Sequence, residues 1–322
     1  MLIAVPEAQA LAILGAMRAV ALEHGGGGAT EMDRETVAGA AAIVFGLKGA
    51  DADRIAPVDP AGLAASIENE AEAEQAVRML AVMSLADGVV DAEKTALVRA
   101  YAQALGVRDG YLEILTEVAE DEVAQATACM MRKNVGSFPH LDAGRLEISA
   151  AAPFLPYEDA PDPELEARYQ ALGELPPESF GRAFYDHFHR NSFAFPGNPN
   201  GLAEGFTTPH DSSHVLSGYS TSEAGEVCVS TFIGAMHPDH PMAAEVLPVI
   251  YSWHVGLELN ELANSAKGAF EPRHFWTAWE RGAATTVDVV AADWDFWAAT
   301  PVPLEELRAE YGVSPVEPEL LV

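Results

Sequence analysis

Helical spacing of apolar residues, interrupted by glycine, proline and aspartate, is the feature that most restricts the fold of this chain. Apolar residues recur every three or four positions across residues 6–23 and 76–86, which indicates helices with one buried stripe. Further helices are predicted over residues 33–47 and 91–105, the latter ending at Gly106. The sequence shows neither the strand–helix alternation nor the glycine-rich phosphate loop of nucleotide-binding folds. We therefore predict an all-α protein.

Length and proline distribution predict two helical domains. With 322 residues and 49% hydrophobic content, the chain is long enough to bury two sizeable cores. Residues 136–163 are rich in proline and poor in helical signals, which is typical of an interdomain linker. We expect a helical interaction domain over residues 1–135 and a second helical domain over residues 164–322. The glycine run at 25–28 is expected to form a hinge.

Charge excludes one class of partner. The chain has 18 basic and 49 acidic residues and a formal net charge of -31 at pH 7, so it would repel the phosphates of nucleic acids. The same charge disfavours electrostatic docking on anionic lipid, so any membrane contact would be hydrophobic and local. No basic leader precedes the first apolar segment, and no apolar stretch reaches the length of a membrane span. These features predict a cytoplasmic protein with, at most, peripheral contact at the inner membrane face.

The two cysteines are not expected to form a disulfide or to bind a metal. Cys129 and Cys228 fall in different predicted domains and are too few for a disulfide framework or a thiolate metal site. Any metal site must therefore be built from nitrogen and oxygen ligands.

Such ligands are concentrated in one short segment. His210, Asp211 and His214 are followed after eleven residues by Glu226. We predict a helix that begins near Thr207 and Thr208, with Pro209 at its first helical position, which would place both histidines on one face. The turn-forming residues 217–222 would then bring the start of a second helix, with Glu226, back against the first. Imidazole and carboxylate ligands without thiolate suit zinc, iron(II) or manganese(II).

The pattern leaves two questions open. If Asp211 binds the metal directly, the protein supplies four ligands and the site is nearly closed. If Asp211 instead orients a histidine, positions remain open for substrate and catalysis is favoured. The alternative without a metal is a helix start capped by polar side chains on an ordinary surface.

A second histidine segment could support the site. His254, Glu258 and Glu261 have the spacing of one helix face, and we consider His254 and Glu258 as acid/base or supporting residues near the metal. The alternative is an exposed helix surface with a weak ion pair. His187 and His189 would point to different sides of a helix and are not expected to bind one metal together.

The segment HDxxH, eleven residues, then E, with Gly218–Tyr219 and Gly225–Glu226 inside it, is similar to the zinc-binding signature of the fourth member of the coenzyme Q (ubiquinone) biosynthesis protein family. Flanking segments also resemble that family, so that the likeness covers about residues 174–313; they are residues 175–185, 193–197, 275–282 and 293–308.

The resemblance implies a mostly helical fold with a lipid-accommodating channel and a divalent metal, zinc in the first place, held by His210, Asp211, His214 and Glu226. It implies a homodimer that acts on a prenylated hydroxybenzoate-type ring, by oxidative loss of the carboxyl group at ring carbon 1, or that organises the other quinone-biosynthesis proteins. A non-enzymatic lipid-binding scaffold with a structural zinc is the alternative from another class. A metal hydrolase is a third, disfavoured because the ligands have no evident nucleophile beside them.

The N-terminal half carries a second resemblance. A helix, an Asp-Gly turn and another helix, over about residues 70–132, are similar to the tellurite-resistance TerB-like module, which implies an interaction domain. Asp87, Asp91 and Glu93 in that turn could bind a metal, but they lack the ligand spacing of an EF-hand loop. The simpler interpretation is an N-cap with first-turn carboxylates.

Overall fold

The computed structural model describes residues 4–23, 28–141, 154–155, 157–259, 265–316 and 318–320. Within these residues the secondary structure is helical and no strand occurs, which confirms the predicted all-α class. The first nine α-helices are α1 (Glu7–Leu22), α2 (Glu31–Gly39), α3 (Pro60–Ser66), α4 (Glu70–Met83), α5 (Ala92–Leu105), α6 (Tyr111–Ala119), α7 (Val123–Ser137), α8 (Pro163–Gln170) and α9 (Phe180–Asn191). The others are α10 (Glu204–Ser217), α11 (Glu223–Met236), α12 (Leu247–Val249), α13 (Pro272–Ala284), α14 (Phe296–Ala299) and α15 (Leu304–Tyr311).

Three further segments are π-helical: π1 (Ala40–Val44), π2 (Pro241–Val246) and π3 (Ile250–Val255). Short 3₁₀ turns occur at Ala52–Arg54, Ala171–Glu174 and Pro318–Leu320. No helix in the described part of the chain is long and apolar enough to cross a membrane.

Helix boundaries follow the local sequence where caps are strong. Asp91 accepts hydrogen bonds from the Glu93 and Lys94 amides, and Gly106 ends α5 in the left-handed region with φ of 73°. The N-cap interpretation of the acidic turn is thereby confirmed for Asp91. Thr30 and Asp33 form a capping box at the start of α2.

Asp87 forms a buried ion pair, which is a different role from metal binding. Its Oδ2 lies 2.7 Å from the Nζ of Lys94, which also lies 3.5 Å from Asp33 Oδ1. All three side chains are buried, with exposures of 0%, 0% and 4% for Lys94, Asp33 and Asp87. One buried ammonium thus balances carboxylates from α2 and from the turn before α5.

Two hydrophobic cores form, and the first takes residues from both predicted domains. It combines α1, α4, α5 and α6 with side chains of α11, π2 and α13. Trp276 of α13 is fully buried in it and donates a hydrogen bond of 3.0 Å to the Thr36 carbonyl of α2. The second core packs α9, α10 and the C-terminal helices around Phe180 and Phe184. The domain boundaries stay a prediction, and residues 142–153 and 156 of the predicted linker and 25–27 of the predicted hinge lie outside the described residues.

Helices α11 and α13 approach each other closely at Gly282. A Cβ at that position would collide with the carbonyl of Phe232. We expect Gly282→Ala to lower the free energy of unfolding by roughly 1–3 kcal/mol, because overpacking outweighs the helix propensity that alanine adds, about 1 kcal/mol. Chemical denaturation measures the change. Gly136→Ala is the matched control, since that position in α7 is open and alanine there should be neutral or slightly stabilising. Equal stability of the two variants would contradict the close contact.

Candidate metal centre

Helix α10 carries the two histidines, but it begins earlier than predicted. It starts at Glu204, so Pro209 lies inside it and the expected start at Thr207 or Thr208 is wrong. The reason is a tertiary contact: the Tyr169 hydroxyl lies 2.9 Å from Glu204 Oε1 and 2.6 Å from Thr208 Oγ1. Thr208 therefore serves a buried network and is not a cap. The histidines lie in the interior of the helix, away from its free N–H groups.

The predicted reversal after α10 is confirmed. Gly218 ends the helix with φ of 84°, and Ser222 caps α11 by accepting a hydrogen bond of 3.1 Å from the Gly225 amide. Gly225 is required here because a Cβ would collide with the carbonyl of Ser220. Glu226 consequently enters the first turn of α11, facing back toward α10.

This arrangement brings His210, His214 and Glu226 together. One ligand atom from each lies within 4.8 Å of the others, and no other such group occurs in the described part of the chain. The His210 and His214 Nε2 atoms each lie 3.4 Å from a Glu226 carboxylate oxygen, Oε2 and Oε1 respectively. Charge-assisted hydrogen bonds are shorter, about 2.7–2.9 Å. Two ligands of a tetrahedral ion with bonds of about 2.0–2.1 Å stand about 3.3–3.4 Å apart. Each imidazole–carboxylate separation is therefore longer than a direct charge-assisted hydrogen bond and matches the spacing of two ligands of one ion, with the two imidazoles facing different oxygens of Glu226.

The environment of His214 prepares its Nε2 for such a role. Its Nδ1 lies 3.0 Å from the Tyr219 carbonyl, so in the neutral imidazole Nδ1 carries the proton and Nε2 has the lone pair. Burial lowers the pKa of His214, but the carboxylates of Glu226 and Asp211 outweigh burial and raise it. Burial likewise opposes ionisation of Glu226, yet the two imidazoles hold the pKa of that carboxyl well below its usual range. The carboxylate form, which binds metal, is the stable one.

Asp211 lies outside this three-residue cluster. Its Oδ1 is 2.8 Å from the Nε2 of His187 on α9, a residue that the sequence did not associate with the site. His187 is buried and its ring stacks on that of His214 with centroids 5.3 Å apart, whereas His189 is exposed. The prediction that these two histidines point to different sides of their helix is confirmed. In this arrangement Asp211 orients a neighbouring histidine.

Two arginines fix the end of α10. Arg308 of α15 donates to the Val215 and Leu216 carbonyls at 2.8 and 2.9 Å, and buried Arg281 of α13 donates to the Ser217 carbonyl at 2.9 Å. These carbonyls have no acceptor role left within the helix, and cationic donors suit the negative end of its dipole. The helix that presents both histidines is thus held from its far end.

The cluster opens into a cavity of about 810 Å³. Apolar side chains form much of its wall, including Met130 and Met131 of α7, Phe206 of α10 and Val249 of α12. Helix α7 belongs to the predicted N-terminal domain, so that half of the chain contributes directly to the site. Trp253 also lines the cavity, while Phe270, Phe275, Trp276 and Trp279 are buried.

The structure places His254 and Glu258 away from this cavity. Helix π3 ends at Val255 because Gly256 adopts φ of 87°. The prediction that His254 and Glu258 share one helix face is therefore wrong. Glu261, the third residue of that predicted face, lies outside the described residues. The His254 Nε2 lies 2.9 Å from the Ala86 carbonyl, and burial lowers the pKa of this ring, which favours neutral imidazole. Glu258 is exposed. Neither residue lines the cavity that holds the cluster.

Comparison with models of protein families gives no match for this chain, and comparison with curated proteins gives none either.

Proposed function

We propose that this chain binds a divalent metal through His210, His214 and Glu226 and uses it on a ligand held in the adjoining cavity. The observation that most directly supports metal binding is that three possible ligand atoms lie within 4.8 Å of one another at the wall of that cavity. Three protein ligands leave a coordination position for substrate, as in catalytic zinc sites, whereas structural sites are closed by four. Because Asp211 is engaged by His187, the residues support the open arrangement.

Zinc, iron(II) and manganese(II) would each accept this donor set, and zinc is the ion that the family resemblance implies. A bound ion would supply Lewis acidity to a carboxylate or phenolate oxygen of the ligand. His210 and His214 would hold it with Glu226, the Tyr219 carbonyl would fix the ring of His214, and the methionine and phenylalanine walls would exclude water.

For the ligand we propose a prenylated hydroxybenzoate-type ring, on the strength of the family resemblance and the apolar cavity. The ring would lie at the cluster and the prenyl chain along Met130 and Met131. The reaction would be the oxidative loss of the carboxyl group at ring carbon 1 in the biosynthesis of ubiquinone or a related quinone. The bond from ring carbon 1 to the carboxyl carbon breaks with release of CO2, a hydroxyl group from water takes its place, and dioxygen, as the external two-electron oxidant, leaves as hydrogen peroxide. Homodimerisation, association with other quinone-biosynthesis proteins and peripheral contact with the membrane belong to the same proposal.

Metal content and turnover, measured on one preparation, test the two parts of this proposal, which are the metal centre and the enzymatic reaction. Purified protein should contain about one metal per chain by elemental analysis, and His214→Ala or Glu226→Ala should weaken zinc binding at least about a hundredfold, since each removes a ligand. His189→Ala is the matched control, because that histidine is exposed on α9 and should leave metal content unchanged.

The outcomes separate the hypotheses. Full metal content in both ligand variants would contradict the metal centre. Stoichiometric metal without turnover of a prenylated hydroxybenzoate would contradict the enzymatic assignment and support a lipid-binding scaffold with a structural ion. Turnover that is lost with the metal in His214→Ala would support both parts.

A further inference from the structure

A second polar group lies in the wall of the same cavity, on different elements from the histidine cluster. Glu245 of π2 lines the cavity and is only 3% exposed. Its Oε1 accepts a long hydrogen bond from Asn134 Nδ2 at 3.5 Å, and Ser137 Oγ, which donates its proton to the Asn134 carbonyl at 2.7 Å, lies 3.4 Å from the same oxygen. No hydrogen-bond partner of Oε2 occurs among the described residues.

The local sequence explains why a carboxyl group is held there. Pro248 has no N–H to donate to the Ala244 carbonyl four residues earlier, and Asn134 Nδ2 donates to that carbonyl at 2.9 Å instead. Asn134 thereby joins α7 to π2 directly beside Glu245. On the other side, Gly234 of α11 approaches so closely that a Cβ there would lie 3.2 Å from Glu245 Cβ. The stem of Glu245 is fixed from two sides, so its free oxygen has a defined place.

Both polar neighbours of Oε1 are neutral, Asn134 Nδ2 being the donor, and no cation forms an ion pair with Glu245 within the described residues. Burial without a cation raises the pKa of this carboxyl to about 8, so it is protonated at neutral pH. With Oε1 occupied as an acceptor, the proton belongs on Oε2. A protonated carboxyl donates one hydrogen bond and suits an uncharged acceptor such as a carbonyl oxygen. Among the described residues that line the cavity there is no lysine or arginine, so an anionic group would meet no permanently charged cationic side chain there.

We propose that Glu245 is a binding residue for the carbonyl or ether oxygen of an otherwise apolar molecule that occupies the cavity. Met130 and Met131, one helical turn from Asn134 on α7, would contact the apolar body of that molecule. The site does not depend on the metal, so it goes beyond the function proposed above. It also assigns a role to the N-terminal half of the chain, which would help to select the ligand.

Displacement of the neutral fluorophore N-phenyl-1-naphthylamine from the chelator-treated 322-residue chain tests this inference without interference from metal. The competitors are 2-dodecanone, 1-dodecene and dodecylamine, which share an alkyl chain and differ in the polar group. We expect 2-dodecanone to bind about five- to tenfold more tightly than 1-dodecene, the gain of one neutral hydrogen bond. Glu245→Leu should remove this preference, and Glu245→Gln should keep it, because an amide still donates.

Glu223→Leu is the matched control. Glu223 also lines the cavity but is exposed, so its loss should leave the preference unchanged. A ketone preference that survives in Glu245→Leu, tighter binding of dodecylamine than of 2-dodecanone, or no displacement by any competitor would each overturn the proposal. Cooperative unfolding of each variant, recorded in the same buffer, shows that the comparison is made on folded protein. Because the ion is absent throughout, these results leave the metal centre to its own test.

Discussion

Lys94→Met is expected to lower the free energy of unfolding by about 3–5 kcal/mol, the effect of removing one partner from a buried ion pair. The substitution keeps the length and apolar stem of the side chain but removes the ammonium group that contacts Asp87 and Asp33. Both carboxylates would then stay in the core without a cation, and neither could reach water without opening the contact between α2 and α5. Urea unfolding followed by circular dichroism gives the change directly.

Two further variants show whether the loss arises from the buried charge. Arg54→Met breaks the surface ion pair between Arg54 and Asp51, in which the two side chains are 87% and 53% exposed, respectively. It should change the free energy of unfolding by less than about 1 kcal/mol. The double variant Asp87→Asn/Lys94→Met should be more stable than Lys94→Met alone, because one uncompensated carboxylate is neutralised. A Lys94→Met protein that is as stable as Arg54→Met would show that the ammonium group does not balance these carboxylates.

Glu245→Gln is expected to stabilise the protein at alkaline pH and to have little effect in acid. The pKa of Glu245 is raised to about 8 in the folded chain by burial, against about 4.5 unfolded. The stability that its protonated form contributes is therefore fully present below about pH 4.5 and is lost as the pH rises through about 8. The free energy of unfolding should therefore fall by roughly 3–5 kcal/mol once Glu245 is ionised, since each unit of difference between the folded and unfolded pKa values is worth about 1.36 kcal/mol. Glutamine stays neutral and avoids it.

The measurement is the difference in unfolding free energy between wild type and Glu245→Gln at pH 5 and at pH 9. Other titrating groups cancel in this difference, because both proteins carry them. Glu223→Gln is the control, since an exposed carboxylate should give the same difference at both values. A constant difference for Glu245→Gln would mean that this carboxyl is already ionised at pH 5.

Local signals predicted the all-α class and several helix ends, and they singled out His210, His214 and Glu226, whose side chains the structure brings together. Caps such as Asp91 and stops such as Gly106 act within one turn, so their effect can be read without the rest of the fold. The spacing of His210 and His214, with Glu226 after a glycine-containing turn, is local in the same sense.

Features that depend on distant contacts could not be predicted in this way. Helix α10 starts early because Tyr169 binds Glu204 and Thr208, residues 35 and 39 positions away. His187 joins Asp211 across 24 positions, and no periodicity in the sequence links them. Glu245 had no signal beyond the prolines around it, because its burial is decided by α7, more than one hundred positions earlier.

Arg308 links the packing of the C-terminal helices to the formation of the proposed metal centre. Its bonds to the Val215 and Leu216 carbonyls span 93 and 92 positions, so the helix that carries both histidines is not secured until α15 has folded against it. Closing such a loop costs chain entropy and slows the formation of the contacts that depend on it. During synthesis, His210, His214 and Glu226 would leave the ribosome well before Arg308 does. If the chain binds a metal as proposed, capture of the ion would therefore follow docking of the C-terminal helices.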